Sequence, residues 1–573
     1  MSGTAEELAG RTERTLKFLR EARASYRRER RKNSAFAGYV VALFTVFWGA
    51  PLLAAAARAG ERGAWHGETA RQVEASLPVA APALSALALL LVARNALWRG
   101  PVLVDLPTVS WLLPSPILRG PLLLPRLLAS VSLAAFVGPV TGGVLGYLLY
   151  VAGAGGWAPL TAAGAWAGLA TALTAVATGA LVERHDRTVR RYGARVFGAA
   201  WVLLAGVSAL SVDAAVRDGS PWAGPVLLWS GPWGWAAQPL VSAAGHDAPG
   251  WGAGAALSAV CVLAALLLAW RGTPRIPEET LRSRATVASQ LTASLFALDL
   301  RQARSTVRDP RRRGSRPALR LPVPRHPWLL VPWRDATALL RAPGRLIWGA
   351  LWTAAAVALS AFASAGQPRG QIVLCALPLV AGYLAAAQLA EPARVESDDF
   401  RRSSGLPYTF RALALRHALV PGALLIAGTG ASLVLSRAAG WWAPGHLVLL
   451  AAVPALVGAA LVSAYRGAVP PQVLIGGETP MGNTAALQTA VWYGRGPLGA
   501  LALTTPVMVA ATRQDQFGAG QLAWLLLVGA CGLWWARRTA HRLHGFRPSD
   551  AREPLFTAVR TWLRTRLMTG PGR

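Results

Sequence analysis

The residues able to do chemistry in this chain are few and far apart. Asp398-Asp399 is an aspartate pair of the kind that holds a diphosphate or a divalent metal in a membrane transferase, and it also reads as a charged loop facing solvent. His541 and His544 are the closest pair among eight histidines, and no H-E-x-x-H spacing accompanies them, so no metal ligands are expected. Cys261, Cys375 and Cys531 have neither C-x-x-C spacing nor a nearby histidine, which leaves them as small apolar packing residues. Neither Lys17 nor Lys32 stands in G-x-x-x-x-G-K-[ST], and no G-x-S-x-G elbow occurs. The sequence therefore offers no catalytic residue, no cofactor site and no ATP-hydrolysing loop, and the chain is expected not to be an enzyme.

Composition decides what kind of element must carry these residues. At 53% hydrophobic and 15% charged over 573 residues, with mean hydropathy +0.37, the chain lacks the polar surface that a soluble fold of this size needs. Apolar runs of about 20 residues recur, and each satisfies its own backbone as a helix crossing about 30 Å of hydrocarbon. The expected fold class is an all-α polytopic membrane protein with about twelve transmembrane helices in two six-helix halves. The expected spans in the first half are Ala35 to Ala57, Leu77 to Leu97, Leu127 to Val151, Leu160 to Val182, Val196 to Val212 and Ala253 to Trp270. Those in the second half are Leu346 to Ala365, Ile372 to Ala390, Leu419 to Leu435, Leu447 to Ala464, Leu498 to Ala511 (a short one) and Ala519 to Ala536.

Charge orients these spans. A net charge of +31 would suit nucleic acid, but the arginines gather in alternate connections, as the positive-inside rule requires of cytosolic ones. The Glu183 to Arg195 connection carries Arg184, Arg187, Arg190, Arg191 and Arg195, whereas Arg58 to Ser76 balances Arg58, Arg62 and Arg71 against Glu61, Glu68 and Glu74. No nucleic-acid partner is expected. The chain is placed in the cell membrane with both termini cytosolic, and Trp157, Trp251, Trp441 and Trp442 mark outer interfaces, with Trp98 and Trp270 inner ones. The expected divisions are a cytosolic amphipathic helix over 1–33, membrane halves over 34–270 and 346–536, a basic cytosolic connection over 271–345 and a cytosolic tail over 537–573. Within the connection, Asp309 to Arg316 reads as flexible and Ala285 to Arg304 as a surface helix.

Two further patterns bear on function. Asp105-Leu-Pro-Thr-Val-Ser-Trp-Leu-Leu-Pro-Ser-Pro-Ile-Leu-Arg119 follows the second span and Glu396 to Arg411 the eighth, each running from an acidic residue through a short amphipathic segment to proline and arginine before the next span. This suggests a parallel duplication. Between the fifth and sixth spans, Trp222 to Val241 is apolar but broken by proline and glycine, which predicts a helix, a break and a second helix at the outer leaflet; Thr512 to Gly518 is too short for a counterpart. No acidic residue falls inside an expected span, and Arg94 lies near an inner end where it can snorkel.

This arrangement resembles an ATP-binding-cassette exporter permease: a basic N-terminal helix, two spans, a Pro/Arg cytosolic segment, three more spans and a broken apolar hairpin before the sixth. In that family the segment after the second span is the coupling helix that docks on a separate ATPase, and the hairpin is a pair of short re-entrant helices. The resemblance makes Asp105 to Arg119 the coupling helix and Trp222 to Val241 the hairpin. In the second half it rests on Arg334 to Arg345 and on Glu396 to Arg411. It implies a fused double permease with a cytosolic ATP-binding-cassette ATPase as partner and Asp105, Arg119, Asp399 and Arg411 as docking charges. Membrane lipids are the other expected partner, and a homo-oligomer is compatible. The chain also looks like uncharacterised twelve-span membrane proteins of high-GC actinobacteria. A lipid-linked transferase using Asp398-Asp399 and a non-catalytic membrane scaffold are the alternatives.

Topology mapping checks the charge argument. Reporters fused after Arg573 and within Asp309 to Arg325 are expected to be cytosolic and one within Glu61 to Glu68 external; an external Arg271 to Arg345 connection would overturn the twelve-span reading.

Overall fold

The computed structural model describes residues 68–217, 222–296, 322–364, 371–398, 408–467 and 482–545, with isolated residues and short stretches elsewhere, among them 10–15. The expected first span and the Asp309 to Arg316 segment lie outside the described residues, as does Asp399. The chain divides into two compact units, the first running to Pro310 and the second beginning at Arg311. Among the described residues the structure is helical, apart from two paired dipeptide strands, Glu478–Thr479 and Gly482–Asn483. Ten helices among the described residues are long and apolar enough to cross a membrane. The chain is a multi-pass helical membrane protein.

The first unit contains α1 (Glu68–Asn95), α2 (Gly120–Val151), α3 (Trp157–Arg184), α4 (Asp186–Arg217), α5 (Ala223–Trp229), α6 (Pro232–Ala243), α7 (Trp251–Gly272) and α8 (Glu278–Phe296). Several run past their expected ends. Hydropathy finds only the apolar middle, whereas arginine is a good helix former whose long stem reaches water from a helix end, so α4 starts at Asp186 and not Val196. The surface helix expected from Ala285 begins at Glu278, where Pro277 ends the preceding turn and Glu278 and Glu279 favour the positive helix N-terminus. Nor is it a surface helix throughout, because Leu281, Arg284 and Ala285 are buried.

The two ends of this unit are distinct. Val102, Leu123, Leu127, Ala180, Ala269, Ile276 and Leu281 form one buried cluster, which joins the segment after α1 to the start of α2 and the ends of α3 and α7. Leu77, Leu149, Leu160, Leu228, Leu240 and Val241 form another at the opposite end. The helix–break–helix expected over Trp222 to Val241 is α5 and α6, turned at Ser230-Gly231 and packed into that opposite end, where Gln238 donates from Nε2 to the Leu228 carbonyl at 2.9 Å.

α2 and α3 meet backbone to backbone. Gly138, Gly142 and Gly146 recur at every fourth position of α2 and face Gly164 and Gly168 of α3; a methyl group on Gly142 would fall on the Gly164 carbonyl oxygen, and one on Gly168 on that of Gly138. Lipid tails are as apolar as leucine, so apolar burial does little to drive helices together in a membrane, and close contact through small residues supplies the attraction instead.

The second unit contains α9 (Leu330–Arg341), α10 (Pro343–Ser364), α11 (Gln371–Leu389), α12 (Glu391–Asp398), α13 (Phe410–Ala438), α14 (Gly445–Ala464), α15 (Ala485–Gln514) and α16 (Ala519–Gly545). α14 has the highest hydropathy of the ten candidate spans and 78% of its window is buried, as expected of a helix apolar on every side. α10, α11, α13, α15 and α16 pack around it. The expected eleventh span lies within α15, which is not among the ten candidates; Gln488, Arg495 and Arg513 interrupt its hydropathy. α15 and α16 join through Asp515 in the left-handed region (φ 51°), with no hairpin between them.

Gly142→Leu is expected to wedge α2 from α3 at a cost of about 2 kcal/mol or more, read as a fall of several degrees in the melting temperature of the purified protein; an unchanged melt would refute the backbone contact.

Candidate functional site

Each unit holds a buried cluster of charged side chains at one end of its helices. In the first unit, Glu183 in the last turn of α3 is fully buried and Asp186 opens α4, so a single-residue junction at His185 brings two carboxylates together. Arg284, reaching from α8, bridges them: Nη1 lies 3.0 Å from Glu183 Oε1 and Nη2 3.1 Å from Asp186 Oδ1. Arg190 completes the set at 2.6 Å from Asp186 Oδ2, and Glu183 Oε2 accepts from the Val102 amide at 3.3 Å. The guanidinium thus ties the α3–α4 junction to α8, and the Glu183 carboxylate ties the same junction to the residues after α1. A fork of fixed N–H donors suits two carboxylates better than a point charge would.

In the second unit, α9 supplies Arg334 and Asp335, α12 supplies Glu396 and α13 supplies His417. Asp335, Glu396 and His417 are each about 2% exposed or less. His417 Nδ1 lies 2.6 Å from Asp335 Oδ2 and its Nε2 3.1 Å from Glu396 Oε2, while Arg334 forms an ion pair with Glu396. Tyr465, the residue after α14, is buried with its ring 6.5 Å from that of His417. Burial, reinforced by Asp335 and opposed by Arg334, pushes the Tyr465 phenol well above its ordinary range, so it stays a neutral dipole beside the charges. A neighbouring set, Arg345 with Glu391 at 3.4 Å and Arg394 with Glu391 at 3.1 Å, ties α10 to α12.

The four docking charges singled out from the sequence stand elsewhere. Asp105 is exposed and pairs with Arg126 at 3.2 Å; Arg119 pairs with Glu278 of α8 at 3.2 Å. Exposed pairs of this kind are worth under about 1 kcal/mol, so they tether without committing the residues. Arg411 is exposed on the first turn of α13, and Asp399 lies outside the described residues. The amphipathic segment between Asp105 and Arg119 contains a π-helical turn, Thr108–Leu112, with Thr108 and Val109 buried and Trp111 78% exposed. Leu118 N donates to Thr12 Oγ1 at 3.0 Å, which joins this segment to the N-terminal residues.

Sequence reading passed over the buried residues of both clusters as functional candidates. Glu183 sat at the edge of an arginine-rich connection and was read there as topology. The available signal was an acidic residue at the apolar limit of a span, where it needs a partner. Among the described residues no three His, Cys, Asp or Glu side chains are set to hold a metal ion.

A family model described as a family of unknown function, DUF6297, matches residues 70–473, more than two thirds of the chain. The chain belongs to the DUF6297 family. The matched region takes in both charge clusters and ends before α15. No curated protein and no solved structure matches this DUF6297 chain.

Arg284→Met leaves Glu183 and Asp186 buried without their bridge, at an expected cost of about 3–5 kcal/mol. The melting temperature should drop much further than in Arg282→Met, whose exposed side chain pairs with Glu278; equal effects would show that the cluster does not hold the unit together.

Proposed function

We propose that this DUF6297 protein is the membrane-spanning permease of an ATP-binding-cassette-type exporter, energised by a separate cytosolic ATPase. The observation that carries the reading is the layout of the first unit. The short helical hairpin α5–α6 and the amphipathic segment 105–119 occupy opposite ends of the same bundle, one suited to closing an outer mouth and the other to receiving a partner. A permease without its own motor needs a rigid surface through which a partner's motion reaches the spans. Segment 105–119 has such anchorage: Val109 and Leu113 are buried in the cluster shared with α2, α3, α7 and α8, and Arg119 is tied to α8, while Trp111 stays outward. Exposed tryptophan beside arginine is the composition of an interface hot spot. In the second half, Arg411 offers a corresponding charge on the first turn of α13, in keeping with the parallel duplication expected from the sequence. The substrate class is open: the cavity among α10, α11, α13 and α14, lined by Thr353, Thr429 and aliphatic side chains, has room for about one water molecule and points to no ligand.

A photo-crosslinking residue in place of Trp111 is expected to capture a protein carrying a phosphate-binding loop from native membranes, and Arg411→Glu should weaken its co-purification without changing the amount of inserted permease. Capture of lipid alone, with co-purification unaffected, would remove the permease reading and leave a scaffold.

A further inference from the structure

The second unit buries two histidines whose partners demand different numbers of hydrogens. His446 on α14 accepts from the Ala443 amide at Nδ1 (3.2 Å) and faces the Val357 carbonyl with Nε2 (3.2 Å), one acceptor and one donor, which a neutral imidazole satisfies. His417 faces carboxylate oxygens from both nitrogens, at 2.6 and 3.1 Å. A neutral imidazole has one N–H, so the second contact would set a nitrogen lone pair against a carboxylate. Both contacts close only when the three groups together hold two hydrogens, either as an imidazolium between two carboxylates or with one carboxyl protonated.

We propose that Asp335, His417 and Glu396 form a proton-binding site that fastens α9 to α12 and α13, closed while the extra proton is held and opened when it is lost. With that proton and the Arg334 charge, the four groups sum to zero; without it they carry one uncompensated negative charge in a buried place. The other charged and titratable groups nearby do not supply a substitute. Arg345 and Arg394 are both held at Glu391, with Arg345 also donating to Gln388 Oε1 at 2.6 Å, Tyr465 stays neutral, and Arg416 lies over the Tyr408 ring at 3.6 Å. Arg341 of α9, Asp398 of α12, Tyr383 of α11, and Arg411 and Arg437 of α13 complete the set on those helices; Arg466, after Tyr465, lies over the Tyr493 ring at 4.5 Å, and the last turns of α16 add Arg537, Arg538, His541 and Arg542.

α9 is suited to such control. It is short; Leu339 near its end sits in the main core of the unit, while its first turns attach through Val331 against Phe410 and Leu413, with Tyr408 donating to the Pro327 carbonyl at 2.7 Å. The ion pair of Arg334 with Glu396 and the contact of Asp335 with His417 therefore supply most of its polar anchorage to the bundle. This site stands independently of whether an ATPase docks on the chain.

Hydrogen–deuterium exchange on the full chain in lipid nanodiscs tests it. Between about pH 6 and about pH 9, after correction for base-catalysed exchange, uptake over 330–341 is expected to rise about threefold or more relative to 445–464. Asp335→Asn, whose amide can donate to Nδ1 and so removes the need for a second hydrogen on the ring, should abolish the rise while keeping the fold. Glu396→Gln acts by the same logic at Nε2 and serves if Asp335→Asn does not fold. A flat profile in the unaltered protein, or a rise that persists in the amide variant, overturns the proposal.

Discussion

A carboxylate removed from water must find its counter-charge inside the protein, and this constraint governs both units of the chain. Glu183 is fully buried because Arg284 reaches it, and Glu396 because Arg334 and His417 do. Apolar helices in lipid have little reason of their own to adopt one arrangement over another. Paired charges at helix ends, together with the glycine contact of α2 with α3, supply the specificity that hydrophobic burial supplies in water. The partners in the first unit come from residues as far apart as Val102 and Arg284, so that cluster forms only once α3, α4 and α8 are in place.

The same constraint explains what could be read in the sequence. Apolar length located each of the ten described candidate spans, because a bilayer demands about 20 apolar residues whatever the tertiary contacts, but it gave no sign of the short helices α9 and α12. The break in Trp222 to Val241 was legible from proline and glycine. α15 was the weak case, since Arg495 and Gln488 sit in its first half and a hydropathy average cannot distinguish a polar helix end from a connection. Glu183, Arg284, Asp335 and His417 were hidden for a different reason. Glu183, Arg284 and Asp335 lie in connections whose charge already had an explanation in topology, His417 stands just before an expected span, and their pairing depends on contacts across as many as 101 positions, from Glu183 to Arg284. The glycine spacing of α2 was visible but acquires meaning only when Gly164 and Gly168 are found opposite.

A buried polar cluster at one end of a helical bundle is costly unless fully paired, and pairing makes it all-or-none. In the first unit the bridging group is a guanidinium, which itself keeps its charge throughout the physiological range. In the second, an imidazole stands at the centre, and its hydrogen count can change. The proposed docking segment at residues 105–119 is joined to the guanidinium cluster through α8, a sensible foundation for a surface that must transmit force to the spans. α9 rests on the changeable one.

The central claim is that the first unit crosses the membrane with its charge staple at the cytosolic end and its α5–α6 hairpin at the outer end. Cysteine accessibility in intact cells tests it most directly, with Cys261, Cys375 and Cys531 replaced and single cysteines placed at Trp157 and at Arg187, both exposed in the structure. A membrane-impermeant maleimide is expected to label Trp157→Cys at once and Arg187→Cys only after the cells are permeabilised. Labelling of Arg187→Cys in intact cells, or of both sites from the same side, would contradict it.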